Sequence, residues 1–167
     1  EFPGGEGVYR GAKIILPEGR APLGIMPYDG SYMFWGGKAP LINSMMTLKT
    51  PIAVPAGGGS LEFQLVYDIE AEWDFLWVQA SKDGGETWDF LTSPNMICTH
   101  DPDWIGYLYG LPDDLCAADI YGFSGWTASY PDYELETFDL SAYAGENVLL
   151  RFWYMTDWGT TYEGPFV

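Results

Sequence analysis

Histidine and basic residues are scarce in this chain. One histidine, His100, and seven Lys and Arg stand among 167 residues, against 24 Asp and Glu, for a formal charge of −17. A single imidazole excludes zinc sites built on several histidines, and no His-Glu-x-x-His word occurs. A Ser-His-Asp site would carry its serine on a G-x-S-x-G elbow, and the nearest approach, Gly122-Phe123-Ser124-Gly125, has the wrong spacing. Carboxylates are abundant enough for glycoside hydrolysis, yet no pair stands out from the rest. The chain therefore reads as not an enzyme. Its acidic field repels phosphate backbones and anionic headgroups, so neither nucleic acid nor a membrane is an expected partner. No apolar run is long enough to span a bilayer, no substantial stretch carries the helical period, and no internal repeat is visible. Nor does a basic and then apolar leader open the chain at Glu1, so a secreted protein of this sequence would be a processed product or a piece cut from something larger.

What is present points to an all-β fold. Hydrophobic residues make up 47% of the chain, which sets it apart from disordered sequences. At this length a single domain with a proper core is expected. Twenty-one Gly and twelve Pro suit many short strands joined by turns. Twelve Tyr, nine Phe and eight Trp exceed what one core needs, so some aromatic faces should be exposed.

The strands can be read from period-two alternation. Leu61, Phe63, Leu65 and Tyr67 alternate with Glu62, Gln64 and Val66. Phe75–Ala80 forms the next strand, and Lys82-Asp83-Gly84-Gly85 turns the chain into Thr87–Leu91, since Asp-Gly and Gly-Gly supply the positive φ of a tight hairpin. Glu134–Asp157 alternates, breaks at Ala144-Gly145-Glu146-Asn147, and alternates again, giving strands near Tyr133–Phe138 and Asn147–Tyr154. Further strands are expected at Ser31–Trp35, Leu41–Leu48 and Ile52–Val54, with an edge strand at Ala12–Leu16. The expected organisation is one domain: an N-terminal edge strand and loops over 1–30, then a sandwich over 31–167 interrupted by a long irregular insertion at 93–126.

Three groups of residues carry chemistry. Asp68, Glu70, Glu72 and Asp74 alternate at the junction of two strands, where on a regular strand they would share one face and repel. A calcium ion, taking six to eight oxygens, relieves that repulsion; a solvated acidic turn is the plainer reading. Asp101, Asp103, Asp113, Asp114 and Asp119 form a second acidic group in the insertion, which either binds another ion or solvates the loop. Trp104, Tyr107, Tyr109, Trp126 and Tyr130, with Tyr121 and Tyr133 nearby, either stack on sugar rings or a protein partner, or pack beneath the loop. Cys98 and Cys116 suit an oxidising compartment and a disulfide that staples the insertion, unless both remain thiols.

Certain of these words also resemble a family. Tyr67-Asp68-Ile69-Glu70, Asp83-Gly84-Gly85-Glu86-Thr87-Trp88 and Phe138-Asp139-Leu140-Ser141-Ala142-Tyr143-Ala144-Gly145, with Trp35-Gly36-Gly37-Lys38 before them, resemble the jelly-roll or MAM-like domain beside secreted metallopeptidases of the immune inhibitor A type. The resemblance spans roughly 31–167, the insertion aligning poorly. It implies a two-sheet antiparallel jelly roll, a secreted or cell-surface location, and a non-catalytic role as accessory domain or structural subunit. It also implies a structural calcium near strand ends, carried over by position to Asp68, Glu70 and Asp74. The peptidase part is absent, so proteolysis is not inherited. In the family a further strand follows the equivalent of Glu163–Val167; without it, an open edge would invite strand addition from a neighbour. The expected partners are thus a glycan or protein at the cell surface, or copies of the chain itself in a filament or layer.

Overall fold

The computed structural model describes residues 24–100 and 103–167; the strand expected at Ala12–Leu16 lies outside them. Along the described chain run β1 (Asn43–Thr47), β2 (Ile52–Ala53), β3 (Ser60–Asp68), β4 (Phe75–Ser81), β5 (Asp89–Leu91), the helix α1 (Asp103–Tyr109), β6 (Glu134–Asp139), β7 (Asn147–Met155) and β8 (Gly164–Phe166). One sheet has the order β1-β7-β4-β5, with β2 pairing the far end of β7, and the other has the order β6-β3-β8. All pairings between these strands are antiparallel. The chain is a two-sheet β-sandwich with almost no helix.

Alternation places the core between the sheets. Leu65, Tyr67 and Phe138 from the smaller sheet meet Leu76, Val78, Ala80, Val148, Leu150 and Tyr154 from the larger. Phe63 and Phe152 close the gap edge-to-face at 4.8 Å between ring centroids, a favoured aromatic geometry. The turn after β4 forms as expected, with Gly84 at φ 78° and Gly85 at φ 96°. Asp83 organises it by accepting hydrogen bonds from the Ser81 and Thr87 hydroxyls and from the Glu86 and Thr87 amides. Those donors, the Thr87 side chain first, hold its carboxyl well below the usual carboxylate range. The strands flanking Ala144-Gly145 do not pair with each other: β6 lies in one sheet and β7 in the other.

Both sheets are also covered on their outer faces. Every residue of β4 is buried, because Phe75 and Trp77 point away from the main core into a second one. There Phe75, Trp77, Trp153 and Met155 pack beneath Ile105, Leu115 and Ile120 of the insertion. Full burial of each such side chain contributes roughly 1.5–3 kcal/mol. Cys98 and Cys116 form the disulfide, with Cα atoms 5.1 Å apart and a sequence separation of 18, and the closed loop contributes ~3 kcal/mol by chain entropy.

Helix α1 is the element the sequence period does not reveal, being only seven residues long. Ile105, Leu108 and Tyr109 make one apolar stripe against the second core. It ends at Gly110, at φ 70°, whose amide bonds to the Gly106 carbonyl. On the smaller sheet, Ile25, Met33 and Trp35 cover Val66 and Phe166.

Two details position the functional residues. Segment 121–127 crosses between the sheets: Phe123 exchanges hydrogen bonds with Leu76 of β4, while Thr127 bonds to Tyr67 and Gly125 to Ile69 at the end of β3. Gly122 is required there, since a Cβ would stand 2.8 Å from the Trp77 ring. And β8 is not an edge. It pairs with β3 on one side and with residues 34–36 on the other, so the open edge expected beside 163–167 is filled by the chain itself. The strand expected at Ser31–Trp35 is reduced to that short pairing around Trp35.

Candidate functional site

The loop from β3 to β4 does not continue as a strand through 68–74. Glu72 takes a left-handed conformation at φ 67°, its amide held by the Ser124 hydroxyl at 2.8 Å, and the four expected calcium ligands are splayed. Asp68 stays in β3 opposite Gly164, and Glu72 is exposed. Glu70 and Asp74 turn inward and meet Asp157, which follows β7; one carboxylate oxygen from each lies within 4.8 Å of the others. Asp157 was not legible as a member, since it lies 83 residues from Asp74 and only the β4–β7 pairing brings the two strand ends together.

This corner is buried. Asp74 is 0% and Asp157 4% exposed. Asp74 accepts hydrogen bonds from the Asp157 amide at 3.1 Å and the Glu70 amide at 3.4 Å, and Asp157 accepts from Gly159 at 2.6 Å. Glu70 Oε2 is buried without a hydrogen-bond partner. Desolvation, reinforced by the charges of Asp157 and Glu70, pushes the Asp74 carboxyl up to about 7 despite its two amide donors. None of the ion pairs among the described residues involves this group. Three hard oxygen donors, one of them unpartnered, in a small buried space suit a hard cation.

The corner is also a junction. Ser124 of the crossing segment donates to the Glu70 carbonyl at 3.2 Å. The Leu41 amide donates to the Asp157 carbonyl at 2.7 Å. The Tyr109 hydroxyl, from α1, contacts the carbonyls of Thr156 at 2.7 Å and Ile42 at 2.9 Å. Burial, then the nearby Asp74 and Asp157, raises the Tyr109 pKa. Tyr109 is thus a fastening residue, packed on Trp153, rather than an open ligand platform.

The other expected aromatic residues are dispersed. Tyr107 is 86% exposed on α1, whereas Trp126, 66% exposed, lies on the crossing segment and Tyr130, 37% exposed, just after it. Trp126 pairs with Asp68 through its backbone. The charges of Asp68 and Glu163 raise the Tyr130 pKa after its desolvation, so Trp126 and Tyr130 share a corner with Asp68, Glu163 and Lys38, whose ammonium meets Glu163 at 2.6 Å. The side chains of Asp103 and Trp104, and the whole of Asp101, lie outside the described residues. In the insertion, Asp114 caps Ala117 at 2.8 Å and faces His100. That pair lies near Cys116, but the sulfur is committed to the disulfide and offers no thiolate.

No family model matches the chain. It is similar to the pre-pro-metalloprotease PrtV of Vibrio cholerae serotype O1, in strain M66-2 and in strain ATCC 39315 / El Tor Inaba N16961. Identity with each is 28% over 156 residues, covering 93% of this chain and 14% of the protease precursor. The chain thus spans about one-seventh of the length of the relatives it matches. A β-sandwich distantly related to a stretch of a metalloprotease precursor is the class that the fold and the comparisons define.

Proposed function

We propose that this chain is a non-catalytic extracellular module, an accessory part of a larger secreted or cell-surface protein, stabilised by calcium. The observation that carries the calcium reading is the trio Glu70, Asp74 and Asp157, the first half-buried and the other two buried, with an unpartnered Glu70 oxygen and no ion pair among the described residues. A calcium ion held there supplies the missing positive charge. The protein's part is to bring together the exit of β3, the entry of β4 and the exit of β7, and through Ser124 and Tyr109 to fasten the crossing segment and α1 to the same corner. The disulfide and the distant likeness to part of a protease precursor support an extracellular setting. Thermal unfolding in chelator and in millimolar calcium tests the reading. A rise in Tm with calcium, lost on Asp157→Asn but kept on Glu72→Gln, is expected; an unchanged Tm in the wild-type chain overturns it.

A second reading, binding of a glycan by exposed aromatic side chains, is favoured by Trp126, the residue being two-thirds in solvent, with Tyr130 also exposed four residues on. Loss of glycan retention on Trp126→Ala, with Tm unchanged, supports it; a glycan array without signal argues against it. Self-assembly by strand addition would use an edge other than β8, which is paired on both sides by described residues.

A further inference from the structure

The outer face of the larger sheet is covered over only part of its length. The insertion buries Phe75, Trp77 and Met155, and beyond it a row of side chains crosses four strands in register: Thr47 on β1, Arg151 on β7, Gln79 on β4 and Phe90 on β5. Arg151 is the one arginine among the described residues. Its Nε donates to Gln79 Oε1 at 2.6 Å. Its Cζ lies 4.0 Å over the Trp88 ring and 5.7 Å from the Trp153 ring, and Nη1 is 3.8 Å from Met45 Sδ at the rim.

In a chain with 24 acidic residues, this guanidinium has no carboxylate partner among the described residues; the ion pairs there are Lys38–Glu163 and His100–Asp114. Aromatic rings and one glutamine hold it instead. Its Nε edge is used and its plane is fixed by two indoles, so a rigid fork of terminal N–H donors remains. Half-burial lowers its pKa, the mark of a cation held partly out of water without an anion.

We propose that this row is a binding site for a single carboxylate-bearing sugar at the end of an otherwise neutral glycan, with Arg151 receiving the carboxylate. The terminal guanidinium edge matches a carboxylate bidentately. Trp88 and Met45 offer apolar surface to the C–H face of a pyranose, and Thr47 offers a polar atom to its hydroxyls, while Gln79, 2% exposed, serves only to hold the guanidinium. One guanidinium answers one carboxylate, and the −17 field penalises a polyanion. An acidic polypeptide is disfavoured because β4 and β7 are interior strands whose backbone groups are already paired. The site lies on a different element from Trp126 and Tyr130 and does not depend on them.

The test is titration calorimetry, in calcium, of the full chain with sialyllactose and with a glucuronate-ended neutral oligosaccharide, each against its methyl ester. At least one acid is expected to bind about tenfold or more tightly than its ester, the worth of charge-assisted hydrogen bonds. Arg151→Lys should remove most of that preference. Met45→Glu, which places an internal carboxylate beside the guanidinium on an exposed rim, should abolish binding while leaving Tm unchanged; it carries the test if Arg151 variants fold poorly. Equal affinity for acids and esters, absence of binding to either acid, or binding that survives Met45→Glu overturns the proposal. Displacement of the sugar by a short Asp-Glu peptide of equal affinity would overturn the glycan in favour of a protein ligand.

Discussion

Among the described residues, the acidic corner gathers Glu70, Asp74 and Asp157 with no basic side chain paired to them, whereas the outer face of the larger sheet half-buries the Arg151 guanidinium with no carboxylate partner. The two centres solve opposite problems by different means. At the corner, backbone amides are the donors offered to Asp74 among the described residues, and burial pushes its carboxyl up to about 7. On the sheet face, the faces of indole rings accept the charge and no proton need move. Loop residues converging from three strand ends can close around an ion, while a flat row on regular strands can only present its charge outward. The corner therefore reads as structural and the row as receptive.

The largest expected effect that would break this contrast is pH dependence in chelator. Asp74 ionises near pH 4 in the unfolded chain and near 7 in the fold, so between those values the folded state holds the extra proton and stability falls as pH rises. The full penalty, about 4 kcal/mol, is present above pH 7 and absent below about 4. Urea titrations across that range should show it, and Asp74→Asn should flatten the profile; a wild-type profile that is already flat would place Asp74 in the same class as Arg151. Next in size is the response to calcium at pH 7, expected at about 3 kcal/mol when the ion is a hundredfold over its Kd. That response should weaken below pH 6 as protons compete for Asp74. Smallest is Arg151→Met, which keeps the packed stem and removes a charge with no ionic partner among the described residues, but takes the donor from the buried Gln79 Oε1. Its expected cost is about 1–2 kcal/mol by thermal unfolding; a larger loss would make Arg151 structural.

Much of the sandwich was legible because local alternation and turn chemistry agree with the fold. Asp83-Gly84-Gly85 turns where Gly and Asp permit it, and Leu61–Tyr67 shows one apolar face. The unbroken apolar run of β4 carried a further signal, burial on both faces, that only the packed insertion makes plain. Strand β8 escaped notice because Gly164 and Pro165 are poor strand formers; it is held by pairing on both sides rather than by propensity. At the start of β6, Glu136 is buried on the same face as Phe138 while Leu135 is exposed, since Ser93 and Asn95 satisfy the carboxylate from the start of the insertion. The acidic cluster is half legible. Glu70 and Asp74 are near in sequence, but the positive φ of Glu72 breaks the assumed alternation that had added Asp68 and Glu72. Asp157 belongs through tertiary pairing alone.

Segment 121–127 has a mechanical consequence. A sandwich whose sheets touch only through side chains can slide one sheet over the other by trading one apolar contact for the next. Here one piece of backbone is bonded at Phe123 to β4 and at Thr127 to β3, so such a displacement must strain or break backbone hydrogen bonds as well. The sheets are thereby coupled like plates sharing a rivet. A module carrying load within a larger extracellular protein would yield first at strands remote from that segment, and last at the corner where it is fastened.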